Sequence, residues 1–148
     1  MSSRFSSYSG KGRMVWWHEL LNAACDGLGC CRFQSALNSP HGPKFDEYSQ
    51  FVRLATGLEI SPEDIQLSAE RIYTTERLLL EKLGLGGRAN DTLPDRWFEE
   101  PVAGWRDQWY PVDRGGLNVF LDEYYAIHGW DDQGHPTQKT LSALGIAP

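Results

Sequence analysis

Residues 61–84, SPEDIQLSAERIYTTERLLLEKLG, carry the clearest structural signal in this sequence. Ser61 is a favourable N-cap residue, Pro62 suits the first helical position, and Gly84 suits the C-terminal cap. Between these ends, apolar residues recur at helical steps of three and four, with one gap, at Ile65, Ala69, Ile72, Leu79 and Leu83. The segment therefore predicts one long helix that carries an apolar stripe.

The gap in this stripe is occupied by Glu76. Burying an unpaired carboxylate is costly, so a buried Glu76 would need a partner such as Arg71 or Arg77. Alternatively, Glu76 marks the place where the stripe meets water or a partner domain. In both cases we assign Glu76 a structural role, not a catalytic one.

Helices are also predicted on both sides of this segment. Periodicity and turn residues place them at Arg13–Ala24, Phe45–Thr56, after Pro94, Leu117–His128 and Thr137–Leu144. The Ser-rich residues 1–10 predict a flexible lead-in, and residues 102–116 predict irregular structure anchored by Trp105 and Trp109. Strand-like alternation never exceeds four residues. We therefore expect an all-α, multihelical single domain with long ordered loops over residues 11–148.

Composition limits the classes of function. The chain has 148 residues, which is enough for one domain with a sizeable core, and a net charge of −6. Without a run of Lys or Arg, it lacks the basic face of a nucleic-acid-binding protein. No apolar run approaches the roughly 20 residues that span a bilayer, and the N-terminus lacks the apolar core of a signal peptide. We expect a cytoplasmic protein that binds neither nucleic acid nor a membrane.

The segment DGLGCC, residues 26–31, combines residues that suit a metal or a cofactor. Gly27 and Gly29 leave the backbone bare, so that N–H groups could approach a ligand. Asp26 supplies a carboxylate, and Cys31 supplies a soft thiolate suited to iron–sulfur clusters or zinc. A helix C-cap followed by a glycine turn has much the same sequence, and that structural interpretation stays open.

The three cysteines, Cys25, Cys30 and Cys31, cannot hold a cluster by themselves. A four-iron cluster needs four thiolates, and a structural zinc site also needs four ligands. The four histidines are spread along the chain, so any cluster must take ligands from elsewhere. Burial of the cysteines as small apolar residues and adventitious zinc binding remain alternatives. Known nucleotide-binding, metalloprotease and hydrolase motifs are absent, and we assign no catalytic residue.

Four segments, in order, resemble the tungsten-containing aldehyde:ferredoxin oxidoreductases. The second, DGLGCCRF, is similar to that family's Asp-x-Leu-Gly-Leu-Cys-x-Phe motif. The segments are Gly10–Glu19; Asp26–Phe33; Glu70–Leu78 with Asp91–Pro94 and Phe98–Pro101; and Leu121–Tyr125 with Gly129–Gly134, Pro136, Thr137, Leu144 and Gly145. The resemblance covers nearly all of the chain from residue 10 onward, and it implies the C-terminal helical domain of such an enzyme.

The resemblance implies specific roles for the second segment. Cys31 matches the fourth cysteine ligand of a [4Fe–4S] cluster, and Asp26 matches a residue that hydrogen-bonds a pterin of the tungsten bis-molybdopterin cofactor. Leu28, Gly29 and Cys30 match backbone that lies against the same pterin. In this family electrons pass from tungsten through the pterin to the cluster and then to ferredoxin or an electron-transfer subunit.

The sequence also departs from the family pattern. Cys30 stands where leucine is common, and Lys82-Leu-Gly84 replaces the usual Arg-Glu-Gly. Family members are several times longer, and their other cluster cysteines and their catalytic acid and histidine lie in an N-terminal portion. His18 does not match that histidine. We therefore expect this chain alone to be inactive and without cofactor. A stand-alone helical interaction module derived from the family is the alternative.

Overall fold

The computed structural model describes residues 7–36, 38–103 and 109–147. Within those residues there are six α-helices: α1 Lys11–Gly27, α2 Phe45–Thr56, α3 Pro62–Lys82, α4 Arg96–Glu99, α5 Arg114–His128 and α6 Gln138–Leu144. A 3₁₀ helix at Arg32–Gln34 and a two-residue antiparallel pair, β1 Val102–Ala103 with β2 Trp109–Tyr110, complete the regular structure. The predicted all-α class is confirmed.

The long helix α3 begins and ends where its capping residues predict. The Ser61 hydroxyl accepts from the Asp64 N–H at 3.1 Å, and the Asp64 carboxylate accepts from the Ser61 N–H at 3.0 Å. This reciprocal capping box satisfies two backbone donors at the start of the helix. Gly84 adopts a φ of 72° just past the end. The local sequence is therefore sufficient to define both ends of α3.

Helix boundaries elsewhere agree or extend by a few residues. The range of α2 is as predicted, α1 is longer at both ends, and Thr137 is the N-cap of α6 instead of its first residue. No helix of the described residues is long and apolar enough to cross a membrane.

The prediction for residues 102–116 was wrong at both ends. The β1–β2 pair forms there, and α5 begins at Arg114 because the Asp113 side chain caps it by accepting from the Gly116 N–H. Gly116 lies so close to the Tyr8 ring that a side chain at position 116 would collide with it, which explains a glycine inside the first turn. Trp105 and residues 1–6 of the predicted lead-in lie outside the described residues.

The main hydrophobic core lies where α1 and α2 pack on the first half of α3. Its fully buried members on α1 include Leu20, Leu21 and Cys25. Tyr48 of α2 is also buried, and its hydroxyl lies 2.6 Å from the Cys25 sulfur. A second cluster joins α5 to the loop that follows it, through Leu121, Tyr125 and Trp130.

The apolar stripe of α3 is buried in its first half only. Ile65 and Ala69 belong to the main core. In the second half, by contrast, Ile72, Leu79 and Leu83 are 37%, 57% and 63% exposed, and Glu76 is exposed as well. Of the two interpretations of Glu76, the structure supports the second, because Glu76 lies where the stripe meets solvent.

Arg77 is buried in place of the second half of the stripe. Its side chain, only 7% exposed, donates two hydrogen bonds to the Asp91 carboxylate at 2.9 and 2.6 Å and a third to the Gly134 carbonyl at 2.8 Å. The Tyr125 hydroxyl donates to the same carboxylate at 2.5 Å. Burial alone would raise the pKa of Asp91, but the hydrogen bonds from Arg77 and Tyr125 lower it overall. Glu76, which would need Arg71 or Arg77 as a partner only if it were buried, is exposed.

Substitution of Gly134 tests how tightly the network around Arg77 is packed. A Cβ atom at position 134 would lie 2.5 Å from an Arg77 nitrogen and 2.8 Å from the Tyr125 ring, at a φ of 79°. Gly57 has nearly the same φ, 78°, but open space around it. We expect Gly57→Ala to lower the free energy of unfolding by about 1–2 kcal/mol through backbone strain alone. Gly134→Ala should cost roughly 3 kcal/mol because overpacking adds to that strain.

Urea denaturation of both variants, followed by circular dichroism, measures the difference. Equal losses for the two glycines would contradict a tightly packed Arg77 network.

Candidate functional site

The predicted site residues lie on one turn at the end of α1. Gly29 has a φ of 68°, the Cys30 N–H donates to the Cys25 carbonyl at 2.8 Å, and the Gly29 N–H donates to the Asp26 carbonyl at 3.1 Å. These two bonds form a Schellman motif, in which a left-handed glycine closes a helix. The structural interpretation of this sequence as a helix C-cap is therefore correct.

The motif changes what the turn can offer to a ligand. The N–H groups of Leu28, Gly29 and Cys30 all donate to carbonyls of α1, so the expectation of free N–H donors was wrong. Among the described residues, no backbone N–H donates to the carbonyl oxygens of Gly29 and Cys30. The turn therefore presents hydrogen-bond acceptors, together with the partly exposed side chain of Leu28.

Asp26 is held by an arginine from the other side of the turn. The Arg32 Nε donates to one carboxylate oxygen at 2.9 Å, and a terminal Arg32 nitrogen pairs with the other oxygen. These hydrogen bonds from Arg32 lower the pKa of Asp26, so its carboxylate is ionised at neutral pH. Both side chains are exposed, and such a pair adds little to stability. Its effect is to orient the carboxylate.

The three cysteines have different environments. Cys25 is fully buried against Tyr48, which confirms the interpretation of this residue as part of the core. Cys30 is half-buried, and burial raises the pKa of its thiol. Cys31 is exposed, immediately before the 3₁₀ helix. Among the described residues, no three His, Cys, Asp or Glu side chains are grouped as a metal site would need. A metal bound at Cys31 would therefore receive only one ligand from the described residues of this chain.

A groove runs along α1 toward this turn. It consists of two adjoining cavities of about 370 and 230 Å³, which share Glu19, Tyr73 and Glu76 in their walls. The larger cavity lies between α1, α3 and α5, and its walls are mostly apolar. The smaller cavity extends to Asp26 and Arg32. The groove therefore joins the turn to the interior of the domain.

A buried histidine lies beside this groove. Its side chain is inaccessible to solvent, with Nδ1 of His128 3.1 Å from a Glu70 oxygen and Nε2 3.9 Å from a Glu19 oxygen. The Tyr124 hydroxyl donates to Glu19 at 2.7 Å, and the Trp16 indole N–H donates to Glu70. The network ties α5 to α1 and α3 through polar groups that each helix contributes.

Both carboxylates act on the titration of this histidine. Burial alone would lower the pKa of His128, but the nearby carboxylates of Glu19 and Glu70 raise it overall. The imidazole is also stacked on Trp130 at 4.5 Å and on Tyr73 at 5.7 Å between ring centroids. Sequence analysis missed this network. The feature of the sequence that could have indicated the network is that Glu19 and Glu70 each adjoin a core position of their helix, Leu20 and Ala69 respectively.

Comparison with known proteins identifies the family of this chain. A sequence profile described as "Aldehyde ferredoxin oxidoreductase, domains 2 & 3" matches residues 1–146. The chain belongs to the aldehyde ferredoxin oxidoreductase family, in its C-terminal part.

Individual relatives agree with this assignment. The tungsten-containing aldehyde ferredoxin oxidoreductase of Pyrococcus furiosus is 33% identical over 137 residues, covering 93% of this chain and 21% of that protein. The corresponding enzyme of Thermococcus kodakarensis is 32% identical, with the same coverage. An aliphatic sulfonate oxidoreductase WOR-like subunit of Pyrococcus furiosus is 28% identical over 136 residues, covering 86% of this chain and 20% of that protein. The chain thus spans about a fifth of the length of these relatives.

A solved structure shares the fold. The active-site complex BamBC of benzoyl coenzyme A reductase, in complex with 1,5-dienoyl-CoA, superposes with a TM-score of 0.77 and 25% sequence identity. The match covers 98% of this chain and 20% of that chain. The helical arrangement described here therefore occurs within a much larger redox enzyme.

The His128 network predicts a pH-dependent stability. Because the folded-state pKa lies above the ordinary value of 6.5, the stabilisation is fully present below pH 6.5 and is lost as the pH rises through the folded-state pKa. We therefore expect the free energy of unfolding to fall as the pH rises from 6.5 through the folded-state pKa of His128. His128→Gln should remove this fall and cost about 3 kcal/mol at pH 6.

His41→Gln, at an exposed histidine, is the matched control and should keep the wild-type pH dependence. Urea unfolding between pH 5.5 and 9 measures both variants. If His128→Gln kept the wild-type fall, His128 would not be its source.

Proposed function

We propose that this chain is the C-terminal part of a tungstopterin and iron–sulfur oxidoreductase. In the intact enzyme it would supply one cluster thiolate, from Cys31, and a turn that contacts the pterin, formed by Asp26, Leu28, Gly29 and Cys30. The observation that carries the proposal is an exposed thiol next to the Schellman motif that ends α1, in a chain of the aldehyde ferredoxin oxidoreductase family.

Cys31 suits a single corner of an iron–sulfur cluster. A thiolate is the donor that iron–sulfur clusters prefer, and four are needed. Because Cys25 is turned into the core, the remaining thiolates would come from the portion of the enzyme that corresponds to the other four-fifths of the relatives. The Schellman motif fixes the backbone next to Cys31, as a metal ligand requires for precise positioning.

The rest of the turn suits a ligand that is rich in N–H groups, as a pterin ring is. The carbonyl oxygens of Gly29 and Cys30 and the ionised carboxylate of Asp26 are all acceptors. Arg32 would hold the Asp26 carboxylate in place. A remaining lone pair of that carboxylate would accept a hydrogen bond from the ligand. Contact through acceptors, instead of through backbone N–H groups, is the form of pterin binding that this geometry favours.

The bound tungsten cofactor and cluster would supply the two-electron oxidation of an aldehyde with water to a carboxylic acid, releasing two protons and passing two electrons to ferredoxin or an electron-transfer subunit. The residues of this chain would position those groups and exclude water from one side. No residue of the chain is assigned to acid–base catalysis. The chain alone would therefore be inactive.

The alternative is a helical interaction module that derives from the same family and binds no cofactor. The exposed apolar side chains on α3 are compatible with both functions, because either one would cover them with another protein surface. Only the cofactor separates the two, so iron content is the measurement that decides.

Cys31→Ser is the sharpest test of the cluster role. We expect the natural protein, purified anaerobically, to lose most of its cluster iron in this variant, because serine is a poor substitute for a thiolate ligand of iron. Cys30→Ser is the matched control on the neighbouring residue and should keep wild-type iron. Iron analysis and electron paramagnetic resonance report the result. Wild-type iron in Cys31→Ser would refute the role of this residue.

The isolated 148-residue chain gives a second test. After anaerobic reconstitution with iron and sulfide, we expect no stable cluster, since one suitably exposed thiol stands where four thiolates are needed. Analysis of iron and tungsten by mass spectrometry measures the binding. About four irons per chain would overturn the proposal that the ligands are shared with another portion.

A further inference from the structure

We propose that the groove and the exposed half of α3 form one docking surface for the portion of the enzyme that holds the remaining cluster ligands. That portion would place apolar side chains on Ile72, Leu79 and Leu83, here called the α3 strip, and a lysine or arginine beside Glu76 in the groove. The inference rests on the proposed function and names the surface through which the two portions meet.

The α3 strip has the composition of a buried surface. Ile72, Leu79 and Leu83 continue the line of Ile65 and Ala69, which lie in the main core. The same face of one helix is therefore covered by α1 and α2 in its first half and uncovered in its second half. Exposed apolar side chains along one helix face, here interrupted by Glu76, mark a site of contact with another protein.

The strip is continuous with the proposed cofactor turn. A Cβ atom built on Gly27, at the end of α1, would lie 3.4 Å from Ile72 of the strip. On its other side, Glu76 joins the strip to the groove, which extends to Asp26 and Arg32. If Cys31 is one of four cluster ligands, the polypeptide with the other three must approach this turn. It would therefore reach the adjoining strip and groove.

Charge indicates what kind of side chain enters the groove. Among the described residues, no lysine or arginine forms an ion pair with Glu19 or Glu76, whereas Arg32 and Arg77 are engaged by Asp26 and Asp91. Glu19 is already held by His128 and Tyr124, so of these two carboxylates only Glu76 lacks a basic partner among the described residues, and the groove walls are mostly apolar. A lysine or arginine with its apolar stem is complementary to both features.

The length of the relatives identifies the occupant. They extend over about five times the length that this chain matches, and the benzoyl coenzyme A reductase chain does the same. A second copy of this chain could cover the strip, but the proposed cluster would not require it to approach the turn. We therefore assign the surface to the remaining portion of the enzyme, in the same polypeptide or in a separate subunit.

Cysteine labelling tests the docking surface in the natural, intact protein. Leu79→Cys lies in the strip, and Leu54→Cys, on α2 at 78% exposure, is the matched control. We expect a maleimide to label position 79 at least ten-fold more slowly than position 54, measured by peptide mass spectrometry. Equal labelling rates would overturn the proposal.

Photo-cross-linking identifies the occupant. With p-benzoylphenylalanine in place of Leu79, the cross-linked peptide should come from outside the 148 residues of this chain and from the portion with the cluster cysteines. A peptide from a second copy of this chain, or no cross-link, would overturn the proposal.

The charge argument has its own pair of variants. Glu76→Lys should speed labelling at position 79 several-fold, because it opposes the basic side chain of the partner, whereas Glu63→Lys, at an exposed position near the start of α3, should not. Equal effects of the two variants would overturn the charge assignment. Since none of these readouts depends on iron, a failed cluster role and a failed docking surface are distinguishable.

Discussion

The buried ion pair between Arg77 and Asp91 governs how the second half of this domain is arranged. Its guanidinium joins α3 to the loop of Asp91 and, through the Gly134 carbonyl, to the loop that follows α5. Since residues on a helix advance by about 100° each, turning Arg77 inward turns Ile72, Leu79 and Leu83 outward. The exposed strip is therefore a consequence of this pair, and not a defect of packing.

A second polar network, around His128, serves the first half of α3 and α1. Glu19 and Glu70 reach the imidazole from two helices, and Tyr124 completes the contact from α5. The apolar core holds α1 against α2 and α3, whereas this network also holds it against α5. Because α1 packs against α2, α3 and α5, the turn at its end and one wall of the groove are anchored to the rest of the domain. Such anchoring is what the proposed role of Cys31 as a cluster ligand requires.

The candidate site could be located from the sequence but not fully described by it. All five predicted residues, Asp26, Leu28, Gly29, Cys30 and Cys31, lie on the one turn. Their roles came from the resemblance to a family, because a helix C-cap gives the same local pattern. The sequence did not show that the N–H groups of the turn are consumed by the Schellman motif, since this depends on the backbone angles of Gly29.

The sequence by itself determined most of the helices of this protein, because their ends depend on residues only a few positions apart, such as Ser61 with Asp64 or Thr137 with Thr140. The tertiary structure alone decided which side of α3 is buried. Arg77 finds its partners 14 and 57 residues away, and His128 finds Glu70 58 residues away. Helical periodicity shows that a face is apolar, but only packing between distant segments determines whether this chain or another covers it.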